Sequence, residues 1–549
     1  MDKCPNTKYV FVTGGVISGL GKGTATSSIA LLLKSAGYNV SALKADMYLN
    51  IDAGTMNPVE HGEVFVTDDG METDQDIGNY ERFLNRDLSK HNYMTMGQIY
   101  YDLITRERAF EFEGKTVQGH VHVPEEIINR LELAANKDRA DIMMVEVGGT
   151  VGEYQNILFF EAVRRLKQKC PNNVYIIHLV YLLTPNHIGE MKSKPAQASI
   201  YDLYKLGLSP DIVLCRSGES IDEKRKNTLS FNTGVPQHHI FAAPNISSIY
   251  KIPQVYAAQG LDDTLLDIMK LERKSNDLIK WDAQVKKMEE STKKVKIGIL
   301  GKYFASGSFS LADAYLCVIE ALKHAGAELG VIPEIEAINV EEYTDEELSQ
   351  LDGVIVPQGW GSRGVEDKVR AIKYVRENKV PFLGLCFGMQ MAVIEYARDI
   401  LGLSEANTLE ANPDTPDPVI YIMPDQEKYL KEKNYGGTIR LGAWPCKLSE
   451  NSTILESYKK YAPNMLEENI VNERHRHRYE VNNDYKEKLQ AAGLIISGTS
   501  PDDKLAEAIE LPKDKHPFFV ATQFHPEYKS RPLRPHPLFC SFLEACTSK

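Results

Sequence analysis

The sequence has no CxxC pair and no cysteines at metal-ligand spacing; its eight cysteines (Cys4, Cys170, Cys215, Cys317, Cys386, Cys446, Cys540 and Cys546) are scattered. In so long a chain this distribution excludes a disulfide framework and points to a reducing compartment. No apolar run approaches membrane-spanning length. Met1-Asp-Lys-Cys-Pro-Asn-Thr leads directly into a strand pattern, which leaves no room for a signal or transit peptide. A cytoplasmic protein is the expectation. Positive charge is also in deficit: the formal net charge is -13, which argues against a nucleic-acid or anionic-membrane surface but leaves room for local basic pockets that hold small anions. Internal repeats are lacking as well.

What remains is ordinary for a soluble globular chain, with 25% charged and 43% apolar residues and a mean hydropathy of -0.32. A length of 549 residues suggests about three or four domains on size alone, but the motifs fit two large ones. Short β-rich runs alternate with helical patterns in both halves, so the expected fold class is α/β with two parallel-sheet α/β domains. Strands are expected at 9–12, 40–43, 141–147, 174–183, 211–215 and 239–242, then at 295–300, 352–356, 382–385, 494–497 and 518–524. A charged, weakly patterned stretch separates the halves, giving domains at 1–275 and 295–549 with a linker at 276–294. Residues 407–434, rich in Pro, Asp and Glu, read as an irregular loop or lid.

In the second half, Leu383-Gly-Leu-Cys386-Phe-Gly-Met-Gln390 follows an apolar run and precedes a helical pattern. That places a thiol on a sharp strand-to-helix turn, where the helix N-terminus favours thiolate. Far downstream, Gln523-Phe-His525-Pro-Glu527 supplies an imidazole for proton transfer and a carboxylate to orient it. The pair implies acyl chemistry.

The first half opens with different chemistry. A strand ending at Gly14-Gly15 runs through Val16-Ile-Ser18-Gly19-Leu20-Gly21-Lys22-Gly23-Thr24 into a helix reaching about Lys34. A glycine-rich turn of this kind wraps backbone N–H groups round phosphates, while Lys22 and the helix dipole add positive charge. The run departs from the strict phosphate-loop signature: Gly15 to Gly21 is one residue too long, and Gly23 intervenes before Thr24. A triphosphate brings a divalent cation that needs carboxylates. Asp76, in an acidic stretch, and Glu146, at the C-terminal end of a buried strand, are the candidates. Lys44 closes the second strand, and Lys192-Ser193-Lys194-Pro195-Ala196-Gln197 offers charge for a second anionic ligand.

Together these segments resemble the CTP synthases, the glutamine-dependent enzymes that aminate UTP. The resemblance runs over nearly the whole chain. Its most specific stretches start at Val12, Gly54 (Gly-Thr-Met-Asn-Pro-Val-Glu-His-Gly-Glu), Glu146, Ser248, Gly436 and Glu473 (Glu-Arg-His-Arg-His-Arg-Tyr-Glu). It implies a P-loop synthetase domain related to dethiobiotin synthetase and a class I glutamine amidotransferase domain, in a filament-forming homotetramer. By position it implies that Gly19, Leu20, Gly21, Lys22, Gly23, Thr24, Lys44, Asp76 and Ile246 serve ATP, with Asp76 and Glu146 holding Mg2+. Ser18, Glu153, Tyr154, Gln155, Lys192 to Gln197 and Lys226 would contact UTP or the feedback inhibitor CTP. Gly359, Phe387, Gly388, Met389, Gln390, Glu410 and Arg478 would bind glutamine, beside the triad Cys386, His525 and Glu527. GTP is the implied allosteric activator, acting through the lid at 436–442. His61 is a candidate gate for ammonia, or equally a structural histidine in a turn.

Two departures stand out. Gln358 occupies the place of the first glycine in the family's Pro-Gly-Gly-Phe-Gly, and Trp360 that of its phenylalanine. A side chain at 358 restricts a peptide expected to donate to the oxyanion, which puts basal glutaminase activity in question. Near the adenine site Ala243-Pro-Asn245-Ile246 replaces a charged segment. Two rival readings remain at this point: a related ligase that activates a carboxylate instead of a pyrimidine oxygen, and a nucleotide-sensing subunit with a silent glutaminase.

Overall fold

The computed structural model describes residues 6–17, 19–184, 190–306, 309–310, 312–423, 426, 428–429 and 436–548. The chain forms two compact units: Met1–Asp52 with Asp76–Asp282, and Ala53–Gln75 with Ala283–Lys549. It therefore passes between units three times, where the sequence suggested one boundary. The stretch read as a linker carries the helix Ile279–Glu290, in which Trp281 is buried and its indole N–H donates to Tyr250 O at 2.9 Å.

In the first unit seven strands lie in the order Tyr93–Thr95, Val40–Asp46, Ile142–Val147, Lys8–Gly14, Val174–Tyr181, Ile212–Ser217, Ile240–Pro244. Every neighbouring pair is parallel. Runs such as Ile-Met-Met-Val-Glu-Val, buried at every position, suit a sheet covered on both faces. The six expected strands are all present. The edge strand Tyr93–Thr95 is too short to show a period and was not foreseen. The central strand Lys8–Gly14 delivers the glycine turn at its C-terminal end, where open parallel sheets bind ligands.

The second unit holds a nine-stranded sheet. Its parallel part runs Val331–Asn339, Lys293–Gly301, Gly353–Val356, Phe382–Leu385, Phe519–Thr522. Antiparallel strands Ala506–Glu510, Ile495–Thr499, Arg440–Leu448 and Ile470–His477 extend it. Of these only Ile495–Thr499 was expected: Ile470–His477 hides its apolar alternation behind buried Arg474, His475, Arg476 and His477, and Arg440–Leu448, Ala506–Glu510 and the parallel edge strand Val331–Asn339 are each interrupted by charged residues or proline. Residues 407–434 are not wholly irregular either: Asn407–Thr408 and Pro418–Ile422 join Tyr479–Val481 in a small sheet. Gly442, expected in a lid, lies within the strand Arg440–Leu448.

The inserted segment Ala53–Gln75 is bound into its unit by buried polar contacts. Glu72 accepts from Arg476 Nε at 2.8 Å, Asp68 pairs with the fully buried Arg474, and Tyr528 OH donates to Val64 O at 3.0 Å. Six of the described cysteines are free and buried, while Cys170 is disulfide-bonded, which departs at that residue from the expectation of a reducing compartment. No helix among the described residues is long and apolar enough to cross a membrane.

Candidate active site

Phe382–Leu385 ends at Cys386, the N-cap of the helix Phe387–Asp399, with φ 52° and ψ -100°. A non-glycine residue pays strain there. The conformation holds because Cys386 N donates to Thr522 O at 2.7 Å and Gly388 lies so close to Val356 O that a Cβ would sit 1.9 Å from it. The next parallel strand, Phe519–Thr522, leads to His525. His525 Nδ1 bonds Glu527 Oε1 at 2.7 Å, and its ring stacks on Tyr528 with centroids 4.9 Å apart. All three expected triad residues are buried. Burial opposes charge on His525, but the Glu527 carboxylate and then the Cys386 sulfur outweigh it and push the imidazole up to about 10. Nε2 has no well-formed hydrogen bond among the described residues, so it is the nitrogen left to exchange a proton with sulfur.

Cys386 and His525 share a pocket with Gln358, Gly359, Trp360, Phe387, Gln390, Glu410 and Arg478. Of the residues expected at glutamine, Gly359, Phe387, Gln390, Glu410 and Arg478 line it. Gly388 and Met389 do not: Gly388 packs on Val356 O, and Met389 points into the apolar core. Sequence reading missed Arg476, His477 and Tyr479, which also line the pocket. Arg476 and His477 alternate with the expected Arg478, and the repeating Arg-His run was the available signal. A wider cleft of about 340 Å³ shares Trp360, Glu410, Arg476, Arg478 and Tyr479 with this pocket and is closed on its other side by Gly54, Met56 and Pro58. Its volume suits a small ligand.

The loop beside the thiol is held by its carbonyls. Buried Lys368 donates to Pro357 O at 3.1 Å, Tyr315 OH to Gln358 O at 3.4 Å, and Lys302 Nζ to the carbonyls of Trp360 and Gly361. Trp360 N and Gly361 N are used by Tyr303 OH and Glu410 Oε1. The N–H groups of Gln358 and Gly359 make no hydrogen bond among the described residues. Donors fixed in advance near a nucleophile can stabilise an oxyanion. A Cβ at Gly359 would meet Lys302 Cε at 2.6 Å, so the lysine arm that holds the loop's carbonyls would have to shift.

In the first unit, Gly19 and Gly21 take left-handed φ values of 73° and 84°, which lets the turn wrap inward before the helix Lys22–Ser35. Lys22 Nζ donates to Gly149 O at 2.7 Å. Lys44 Nζ contacts both Asp76 and Glu146, the latter at 3.3 Å, and lies 3.7 Å from Asp46. Gly23 makes room for this cluster, since a Cβ there would lie 1.9 Å from Asp76 Oδ1. Burial and then Asp76 push Glu146 up to about 7 against the pull of Lys44. Asp76 itself, disfavoured by burial, is held below its ordinary value by Lys44 and Lys22. A buried and a half-buried carboxylate that resist joint ionisation are an oxygen donor set that suits Mg2+. Asp46, buried and raised by burial, lies beside Lys44 in the same cluster and was not foreseen.

The residues expected at UTP are less gathered. Ser18 lies outside the described residues. Glu153 accepts from Thr150 N at 2.8 Å beside the glycine turn, whose Gly14 O receives Val151 N. Gln155 donates to Glu153 at 3.0 Å, and Tyr154 is 91% exposed. Lys192 pairs with Glu190, and Lys194 and Pro195 open the helix Lys194–Lys205. Gln197 donates to Ser193 at 3.0 Å, whereas Ala196 is buried in an apolar cluster. His178 ties this helix to the strand before the turn: it bonds Thr13 and Ser199, each at 2.8 Å. Lys226 pairs with Glu223 on another helix, and Ile246 is half-buried after the last strand. Thr24 and Leu20 lie in and beside the glycine turn.

Two family descriptions match: CTP synthase N-terminus over residues 8–271 and Glutamine amidotransferase class-I over 310–545. A CTP synthase of Caldanaerobacter subterraneus subsp. tengcongensis is 45% identical, covering 98% of each chain. The chain belongs to the CTP synthase family. A Bacillus anthracis CTP synthase is 44% identical over 98% of each chain. A solved Trypanosoma brucei CTPS glutaminase domain with bound acivicin is 36% identical, covering 46% of this chain and 94% of that one, with a TM-score of 0.41. Membership makes the chain a glutamine-hydrolysing ligase with a synthetase and a class I amidotransferase domain. The carboxylate-activating and silent-sensor readings are thereby set aside.

Proposed function

We propose that the chain converts UTP to CTP in two coupled reactions, with Cys386, His525 and Glu527 as the glutaminase triad. The observation that carries this reading is Cys386 on its strained turn in one pocket with His525, whose ring is bound to Glu527. The Cys386 thiolate attacks the glutamine amide carbon, and the oxyanion takes N–H groups from the 358–359 loop and Phe387. His525 gives its proton to the departing nitrogen, releasing ammonia. Water, deprotonated by the same imidazole, then hydrolyses the thioester to glutamate. Gly359, Gln390, Glu410 and Arg478 position the substrate; Glu410 and Arg478 are suited to its ammonium and carboxylate groups.

In the synthetase unit, ATP lies on the turn Gly19 to Thr24 with Lys22 and Lys44, and Ile246 is near the base. Asp76 and Glu146 would hold Mg2+, which neutralises phosphate charge when bound. Oxide is a poor leaving group, so O4 of UTP is first phosphorylated, and ammonia then displaces phosphate from C4. Ser18, Glu153 to Gln155, Lys192 to Gln197 and Lys226 serve UTP, or CTP as inhibitor. Ammonia travels between domains by a shielded route gated at His61, GTP activates through the lid at 436–442, and the working form is a homotetramer in the cytoplasm.

The test follows CTP formation from UTP with ATP and Mg2+, using glutamine or ammonium, with and without GTP. Cys386→Ala should lose glutamine-dependent synthesis by about a thousandfold or more and keep ammonia-dependent synthesis. Loss of both in a folded variant, or retention of glutamine cleavage, contradicts the assignment.

A further inference from the structure

We infer that Gln358 is a positioning residue for glutamine cleavage, acting through a side-chain bond to Glu63 of the inserted segment. The inference deepens the triad assignment and rests on it. Gln358 Nε2 donates to Glu63 Oε1 at 2.7 Å, and the two residues are only 8% and 4% exposed. The other amide atom, Oε1, has no partner among the described residues, so Glu63 is the polar tie of this side chain.

The anchor is itself fixed. Glu63 Oε2 accepts Cys317 N at 2.6 Å in the first turn of the helix Leu316–Leu329, where a carboxylate is favoured by the helix dipole. The two peptides that flank the Gln358 Cα are held through their carbonyls, because Gln358 O receives Tyr315 OH and the preceding Pro357 O receives Lys368. The side-chain bond fixes the Cα between these two peptides, so turning either one would pull against it and leave a buried carbonyl without its donor. The N–H groups of Gln358 and Gly359, two residues that line the Cys386 pocket, therefore keep one direction throughout turnover. A side chain that looked like an obstacle to the oxyanion hole becomes the means of aiming it, and the aim depends on the seating of Ala53–Gln75.

A bond that serves packing alone would lower melting temperature and leave turnover unchanged. Full-length Gln358→Met, which keeps the volume and removes the amide, Gln358→Ala, Glu63→Ala and the Gln358→Met/Glu63→Ala pair are assayed for glutamate release at saturating ATP, UTP and GTP. Each single change is expected to lower kcat about tenfold, with KM for glutamine moved less than about twofold. The paired variant should be no worse than the poorer single one. Ammonia-dependent CTP synthesis reports folding. Wild-type kcat in Gln358→Met, a change in KM alone, or losses that multiply in the pair would overturn the inference. If Glu63→Ala fails to fold, the two Gln358 variants decide. An active Cys386→Ala refutes the triad itself; an inactive Cys386→Ala beside a fully active Gln358→Met refutes only the tether.

Discussion

His525 carries the most informative charge in the second unit. Its imidazole stands at about 10 in the folded chain against an ordinary 6.5, so protonation favours the fold. The stabilisation is complete below about pH 6.5 and is lost as pH rises through about 10. Thermal unfolding of wild type and Glu527→Gln should differ most near pH 6 and converge toward pH 10. Glu527→Gln should also lower glutaminase kcat by roughly 10³- to 10⁴-fold through loss of imidazole orientation. An unchanged rate would remove Glu527 from the triad. The sequence made this group legible because nucleophile, base and carboxylate each sat in a short motif. It could not show Gln358 as anything but a misfit, since its partner Glu63 is 295 positions away, and no local pattern encodes such a pair.

Among the elements, the glycine turn and the helix Lys22–Ser35 depend on one missing side chain. Gly23→Ala would place its Cβ 1.9 Å from Asp76 Oδ1, displacing Asp76 from Lys44. The expected loss is about a hundredfold in kcat/KM for ATP, in ammonia-dependent and glutamine-dependent assays alike, with glutamine hydrolysis less affected. Equal loss in all three would indicate general misfolding. Most of the parallel strands were readable because they are continuous apolar runs; Tyr93–Thr95 is too short for that, and Val331–Asn339 carries Pro333, Glu334 and Glu336. Arg440–Leu448 and Ile470–His477 were not, because their charged side chains find partners inside the unit: Arg440 lies 2.7 Å from Glu507 and Glu473 accepts Tyr458 OH at 2.8 Å. Burial of paired charge defeats a reading based on hydrophobic period.

For the molecule as a whole, the triple passage between units matters most. A fragment of residues 283–549 lacks Asp68, Glu72 and Glu63, and so leaves Arg474, Arg476 and Gln358 without those partners. Compared with the same fragment supplied with a peptide of residues 53–75, it should melt at least about 5 °C lower and cleave glutamine more slowly. Equal melting would mean that the segment is dispensable to its unit. Sequence reading saw Gly54 to Val66 as a family signature but could not see which half it serves, because contact and chain order disagree there.

The same passage limits how such an enzyme could be rebuilt from parts. A transplanted amidase would have to bring along a loop encoded within the synthetase half, and a gene fusion cut at one seam would leave that loop behind with the wrong host.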